Sequence, residues 1–448
     1  MEKRSLATAF SNRYIMALAL PLMAELFLGV LIGFADTVMV SSCGQSAVSG
    51  VSLVDTLSQL VIQVLSAFAT AGSVVAAQYL GRGEASKASE ASRQLIVASF
   101  AASSMMVAAC ILLREPIIDM VFGSIEPSVR EASCTYFVWI FLSYPFLAVF
   151  NCCTATFRAM GNGSLQLKVS LLTNVLNIAG NALLIYVFNL GVAGAAISSL
   201  FSRIVGMAIM LVSLGKKDNP IHIDSLARAK GEQAHLGRIL RIAVPSAIET
   251  SFFHIGKISV QSIVSSLGTV AIAANAVTVS ITSITCVPGS AMSLAAISII
   301  GNLRGSNKID EIKPMSRKLY LIAEAVMAAV SAIVFILRRP MFGLFSISSE
   351  ARAMALGIMN VYLIAQVGLW CLSFVVPNFM KACGDARFLM VIGICSMWLA
   401  RVLAAKVFVY LGLGLQGVWL GMYLDWLVRS ICFLARFSTD RWLKKEVI

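Results

Sequence analysis

The first long apolar run, residues 14–40, limits the possible folds more than any other stretch of this chain. A helix of about 20 apolar residues spans the hydrocarbon core of a bilayer, and this run exceeds that length while containing Pro21, Glu25 and Asp36. A carboxylate at membrane depth costs at least about 2.5–3.5 kcal/mol on insertion scales, so it usually faces a watery cavity and has a function. The run therefore predicts a membrane-spanning helix that carries part of a functional site.

Similar apolar runs continue to the end of the chain. Of the 448 residues, 58% are hydrophobic and only 13% are charged, whereas about a quarter of the residues in a soluble domain are charged. The sequence therefore predicts an all-α polytopic membrane protein in contact with the lipid bilayer. Charged and Gly/Pro-rich breaks divide it into twelve predicted spans, near residues 13–41, 47–80, 90–113, 131–157, 164–188, 191–214, 239–266, 271–300, 315–337, 354–380, 386–410 and 415–437.

Basic residues are concentrated in alternate connections between these spans. The N-terminus, the even-numbered connections and the C-terminal tail contain most of the lysines and arginines, and the odd connections contain five arginines. Because basic residues collect on the cytoplasmic side, we expect a multi-pass protein of the cell membrane with both termini in the cytoplasm. The same distribution explains the net charge of +13 without a nucleic-acid partner, and no pattern indicates an obligate protein partner.

The two halves of the chain repeat each other. Five short motifs of the first half recur in the same order in the second half, each at nearly the same spacing from its first copy; for example, Pro21-Leu-Met-Ala-Glu25 recurs as Pro245-Ser-Ala-Ile-Glu249. A six-span unit has an even number of spans, so both copies enter the membrane from the same side and form a parallel repeat. We therefore predict an N-terminal lobe (residues 1–214), a cytoplasmic linker (215–237) and a C-terminal lobe (238–448). Transporters built from such repeats bind substrate near the bilayer midplane.

Motifs along nearly the whole chain resemble the MATE (multidrug and toxic compound extrusion) family. The resemblance rests on five segments in order: Pro21 to Val40 with Phe34-Ala35-Asp36, Gln78-Tyr-Leu-Gly-Arg-Gly-Glu84, Arg158-Ala-Met-Gly-Asn162, Asn174-Val-Leu-Asn177-Ile-Ala-Gly-Asn181, and Gly191-Val-Ala-Gly194-Ala-Ala. It implies a secondary active antiporter that exports organic compounds, cationic or amphipathic, by alternating access in exchange for protons or sodium ions. Apart from the coupling ion, no cofactor is expected.

In this family, an aspartate at the position of Asp36 is implicated in ion coupling. At the corresponding position of the second half, the chain has Val260, so the acid is not a requirement of the fold; the alternative is an interfacial, solvated aspartate. Asn177 and Asn181 lie on one helical face, and Ser199 lies where relatives place a hydroxyl group. Some relatives have an aspartate at the position of Asn181, and the neutral residue here favours protons over sodium.

Glu25 and Glu249 occupy equivalent places, each four residues after a proline, Pro21 or Pro245, that we expect to bend its helix. Two such acids could line a substrate cavity and attract a lipophilic cation. Alternatively, each acid accepts hydrogen bonds within its own lobe and stiffens the bent helix.

The second lobe has further polar and aromatic candidates. Phe253, His254 and Trp370 are predicted to line the substrate cavity, although packing and interhelical hydrogen bonds are the simpler explanation for each. Asp425 and Arg429 are four residues apart on one helix and can form a structural ion pair.

Other functions fit the sequence less well. A lipid-linked-precursor flippase of the wider superfamily is the main alternative, and the acids Glu25, Asp36 and Glu249 argue against its cationic cavity. An intramembrane enzyme would need a metal cluster or a Ser/His dyad, yet the chain has three histidines, and its ten cysteines have no metal-ligand spacing. No P-loop sequence is present, so ATP is not the direct energy source. A channel function also fits the sequence, but the duplicated halves favour alternating access.

Overall fold

A computed structural model describes residues 10–123, 126–226, 234–345, 347–445 and 447–448. All regular secondary structure in these residues is helical, which confirms the predicted fold class. The helices of the first half are α1 (Asn12–Ser41), α2 (Gln45–Gly81), α3 (Ala85–Leu112), α4 (Arg114–Phe122), α5 (Pro127–Leu142), α6 (Tyr144–Ala159), α7 (Ser164–Asn181) and α8 (Gly191–Leu214). Those of the second half are α9 (Ala234–Ser265), α10 (Thr269–Thr285), α11 (Val287–Gly305), α12 (Ile309–Gly343), α13 (Ser349–Ala365), α14 (Cys371–Phe374), α15 (Val376–Ala382), α16 (Ala386–Cys395), α17 (Ala404–Phe408) and α18 (Gly414–Ser438).

Several helices are continued or joined by π-helical turns. One such turn, Ala182–Val187, extends α7, and another, Gln366–Trp370, joins α13 to α14. Within the described residues, eight continuous helical segments are long and apolar enough to cross a membrane, or up to ten if each of two bent pairs is one span. One of these segments, Ala386–Ser438, contains two of the predicted spans and changes direction at Gly412, whose φ is 86°. The count of twelve spans therefore stays a prediction.

Two of the predicted spans are bent rather than continuous. The span predicted near 131–157 is broken between α5 and α6 with a bend of 41°, and the span near 271–300 is broken between α10 and α11 with a bend of 43°. In each case a proline, Pro145 or Pro288, lies in the first turn of the second helix. A proline ring removes one hydrogen bond of the helix and clashes with the preceding turn, which explains the position of both breaks.

The backbone reproduces the sequence repeat. Gly44 precedes α2 with a φ of 101° and Gly268 precedes α10 with a φ of 91°. At the start of α8 and α18, Gly191 and Gly414 have φ values of 53° and 50°. Positive φ values are accessible to glycine at low cost, so these glycines place equivalent turns at equivalent points of both halves.

The described chain forms two compact units. The N-terminal unit comprises Leu20–Ala247, and the C-terminal unit comprises Ile248–Ile448 together with the described residues up to Ala19. Within the N-terminal unit, α2 packs against α5 and α6, and α8 packs against α5, α6 and α7. The lobe limits expected from the sequence stay a prediction, and residues 1–9 and 227–233, parts of the expected cytoplasmic N-terminus and linker, lie outside the described residues.

Candidate functional site

The four residues predicted to couple ions lie together in the N-terminal unit. Asn181 Nδ2 donates a hydrogen bond of 2.7 Å to Asp36 Oδ1. With its amide oriented to satisfy both neighbours, Asn177 donates to the same carboxylate oxygen at 3.0 Å and accepts from the Ser199 hydroxyl at 3.1 Å. α1, α7 and α8 therefore each contribute to one hydrogen-bonded group centred on Asp36.

This group opens onto a cavity of about 300 Å³ within the N-terminal unit. Asp36, Asn181 and Ser199 line one part of its wall. The remaining polar lining comes from Ser52, Asp55, Ser58, Gln59, Tyr136, Tyr144 and Arg203. A second cavity of about 210 Å³ is lined by Asp36, Ser199 and Arg203 as well, together with Asn174 and Asn177. The carboxylate of Asp36 thus borders two polar cavities.

Sequence reasoning missed Asp55 on α2. Tyr136 on α5 donates a hydrogen bond of 3.3 Å to Asp55 Oδ1. The signal was present, because Asp55 is an acid within an apolar span, like Asp36. Arg203 on α8 lines both cavities, and its Nη1 donates to the Ser143 hydroxyl at 2.5 Å.

Glu25 and Glu249 each contact polar groups of their own unit. Gln166 donates a hydrogen bond of 2.5 Å to Glu25 and accepts one of 3.0 Å from the buried guanidinium of Arg158. In the C-terminal unit, Lys381 lies 3.9 Å from a carboxylate oxygen of Glu249. These contacts fit the alternative in which each acid interacts with polar groups within its own lobe. A direct role of either acid in binding substrate stays a prediction.

The polar and aromatic candidates of the C-terminal unit surround a buried aspartate. Asp425, which is fully buried, accepts a hydrogen bond of 2.8 Å from Arg429, and Arg401 lies 3.8 Å from its second oxygen. The guanidinium carbons of the two arginines lie 5.3 Å (Arg429) and 5.9 Å (Arg401) from the centre of the Phe253 ring. Asp425 and Arg429 thus form the ion pair that their spacing allows.

Trp370 and His254 extend the aromatic part of this cluster. Phe374 joins them, because its ring centre lies 5.0 Å from that of Trp370 and 6.4 Å from that of Phe253, which in turn lies 6.1 Å from that of His254. The structure therefore brings three of the predicted cavity residues together within one unit. Their role in binding substrate stays a prediction.

Comparison with known proteins identifies the family to which this architecture belongs. The MatE family model matches residues 21–183 and again residues 245–406, once in each half of the repeat. The chain is 27% identical over 434 residues to the uncharacterized transporter YisQ of Bacillus subtilis (96% of this chain, 94% of the relative). It is also 27% identical over 450 residues to the probable multidrug resistance protein NorM of Thermotoga maritima (98% and 94%).

Solved structures share the fold. A crystal structure of MATE in complex with MaL6 superposes with a TM-score of 0.89 at 20% sequence identity, covering 99% of this chain and all of the other. Because the family model matches both halves of the chain, the protein belongs to the MatE family and is a multi-pass membrane transporter.

Proposed function

We propose that the protein is a secondary active exporter that expels organic compounds, cationic or amphipathic, from the cell in exchange for protons by alternating access. It would lie in the cell membrane with both termini in the cytoplasm. The relatives named as multidrug resistance proteins support export of organic compounds. The observation that carries the proposal is the placement of Asp36 between two amide side chains at the border of two polar cavities.

An acid in this position suits ion coupling for an electrostatic reason. The free energy of a carboxylate in a poorly hydrated cavity depends strongly on whether a proton neutralises it. A transporter with two conformations responds to an ion only through the difference in affinity between them. Binding and release of a proton at Asp36 can therefore bias the conformational equilibrium, provided that its contacts with Asn177 and Asn181 differ between the two states.

Two features favour the proton over the sodium ion. The position at which some relatives have a second acid is Asn181, so the direct hydrogen-bond partner of Asp36 is a neutral amide rather than a second carboxylate. Arg203 lines both cavities that Asp36 borders. Its positive charge opposes the entry of a sodium ion, whereas a proton binds covalently to the carboxylate and removes its charge.

The proposal is tested with purified protein in liposomes that contain ethidium, a fluorescent organic cation. A proton gradient and a sodium gradient are imposed separately on wild type, Asp36→Asn and the surface control Asp119→Asn. We expect the proton gradient to drive uphill transport, Asp36→Asn to abolish it, and Asp119→Asn to retain it, because the Asp119 carboxylate is solvent-exposed and pairs with Arg130 at 3.0 Å outside the spans.

Other outcomes would change the proposal in defined ways. Transport driven by the sodium gradient alone would show that the coupling ion is sodium and not the proton. Uphill transport by folded Asp36→Asn would remove Asp36 as the coupling residue. No transport under either gradient would favour the lipid-linked-precursor flippase, which can then be assayed with a labelled polyprenyl-linked lipid in the same liposomes.

A further inference from the structure

Asp55 lies in the same cavity as Asp36 but on a different helix. It is the eleventh residue of α2, so at a rise of 1.5 Å per residue it lies about 15 Å along the helix. Its side chain is exposed to the cavity, and one carboxylate oxygen accepts the hydrogen bond from Tyr136. Asp55 therefore adds a second carboxylate to the site, in place of the acid that is absent at Asn181.

Arg203 provides the positive charge of this cavity. It lines the same cavity as Asp36 and Asp55. Among the ion pairs of the described residues, none within 4.0 Å joins Arg203 to either acid. The other titratable groups that line the cavity are the hydroxyls of Tyr136 on α5 and Tyr144 on α6. With both acids ionised, two negative charges face one positive charge, and the net charge is −1.

A single proton brings this cavity to neutrality. A net charge within a bundle of membrane-spanning helices is costly, and two like charges that interact share their protons as a pair. We propose that Asp55 is a second proton-binding residue of the coupling site, that it shares one exchangeable proton with Asp36, and that Arg203 sets the number of protons bound. The inference rests on the proton-coupled export proposed above and specifies the groups that hold the proton.

A buried amide holds Asp36 at the edge of this cavity. Asn181 is only 1% exposed, and its Nδ2 donates to Asp36. Its Oδ1 has no hydrogen-bond donor in the described part of the chain. Because buried polar groups are nearly always hydrogen-bonded, the bond to Asp36 fixes the orientation of this amide and keeps one carboxylate oxygen of Asp36 in place.

The repeat shows that the pair is not required by the fold. At the spacing of the repeated motifs, the counterpart of Asp55 is Val279, and the counterpart of Arg203 is Trp426. The C-terminal half forms its equivalent helices without this acid or this arginine. Both residues are therefore specific to the half that contains Asp36.

Counting charges gives a test in which two substitutions compensate each other. Purified full-length protein in weakly buffered detergent solution is mixed with ethidium, and proton release is followed with a pH indicator dye. We expect wild type to release protons. Asp55→Asn and Asp36→Asn should each lose most of this release at neutral pH, because the remaining acid is then balanced by Arg203.

Removal of the arginine should restore the release. In Asp36→Asn/Arg203→Gln, Asp55 is the one carboxylate left in the cavity and has no cation to balance it, so proton release should return and be carried by Asp55. Arg203→Lys preserves the charge and should behave as wild type. Tyr136→Phe removes the hydrogen bond to Asp55 but no charge, so it should shift the pH midpoint of the release without abolishing it.

The possible results separate this inference from the proposed function. If wild type neither releases protons nor uses a proton gradient, the proposed function is wrong. If wild type and Asp36→Asn behave as expected but folded Asp55→Asn releases protons like wild type, Asp55 is not a coupling residue, whereas export driven through Asp36 stands. If Asp55→Asn does not fold, Arg203→Gln, which retains both acids, must bind more protons than wild type; an unchanged number would overturn the inference.

Discussion

Asp36 lies among three polar side chains in the N-terminal half, and the same backbone positions in the C-terminal half are apolar. At the spacing of the repeat, Asp36 corresponds to Val260. Its neighbours Asn177, Asn181 and Ser199 correspond to Ala400, Ala404 and Met422. The converse is also true. In the N-terminal half, the counterparts of the buried Asp425 and Arg429 are Ser202 and Gly206, and the counterpart of the half-buried Arg401 is Ile178. Each half therefore carries a charged cluster that the other half folds without.

A different set of charges is kept in both halves. Glu25 and Glu249 each follow a proline within a long helix, and each is associated with a cation from the end of the fourth or tenth span, Arg158 or Lys381. The link differs, because Gln166 bridges the first pair and its counterpart is Leu389. The charges common to both halves thus contact polar groups of their own half, whereas each half also carries charges at positions where the other half has none.

The largest effect should follow from breaking the cluster of the C-terminal half. Asp425→Ala leaves two guanidinium groups in a buried site without their carboxylate, and breaking a buried pair typically costs about 3–5 kcal/mol. We expect a loss of this size in the free energy of unfolding, measured by SDS titration in mixed micelles. Ser202→Ala, at the counterpart position, is the control and should cost about 1 kcal/mol, the value of one hydroxyl hydrogen bond. Equal losses in the two variants would mean that the halves do not differ in this way.

A smaller effect should follow from making the first half resemble the second. Gln166→Leu removes the bridge between Glu25 and Arg158, and hydrogen bonds to charged groups contribute about 1.5–3 kcal/mol. We expect a corresponding loss of stability in the same titration. Lys168→Leu, an exposed change on the same helix, should stay within about 0.5 kcal/mol. Wild-type stability in Gln166→Leu would show that Arg158 pairs with Glu25 directly, as Lys381 does with Glu249.

The smallest effect is expected for surface ion pairs, which both units possess outside the spans. Hydrogen bonds from Arg130 and Lys313 lower the pKa of Asp119 and of Asp440 below the usual range. Each pair therefore stabilises the fold above the unfolded pKa of its acid, and this contribution disappears as the pH falls through the folded pKa. Asp119→Asn and Asp440→Asn should lower the thermal midpoint slightly at pH 7. Below the folded pKa of each aspartate, the substitution should leave the midpoint unchanged. A larger loss for one of them would show that its pair is not an ordinary surface contact.

Much of the fold follows from the sequence because apolar runs and the repeat are local signals. The predicted span 191–214 coincides with α8, and the predicted span 47–80 lies within α2. The bends before Pro145 and Pro288 were not predicted. Pro21 and Pro245 lie inside continuous helices, so the presence of a proline does not by itself indicate where a helix breaks.

The site was predictable only in part for a similar reason. Helical spacing places Asn177 and Asn181 on one face, and the family resemblance pairs them with Asp36. Neither signal states which faces of different helices meet. Asp55 and Arg203 join the site because α2 and α8 both pack against α5 and α6 around one cavity, and this is a property of tertiary packing.

The wall shared by the two N-terminal cavities has a kinetic consequence. Asp36, Ser199 and Arg203 line both spaces, so these three side chains separate two polar compartments within one bundle of helices. In the exporter proposed above, a proton that crosses without cargo would waste the driving gradient. The packing of these three side chains would then set the proton leak of the protein without substrate.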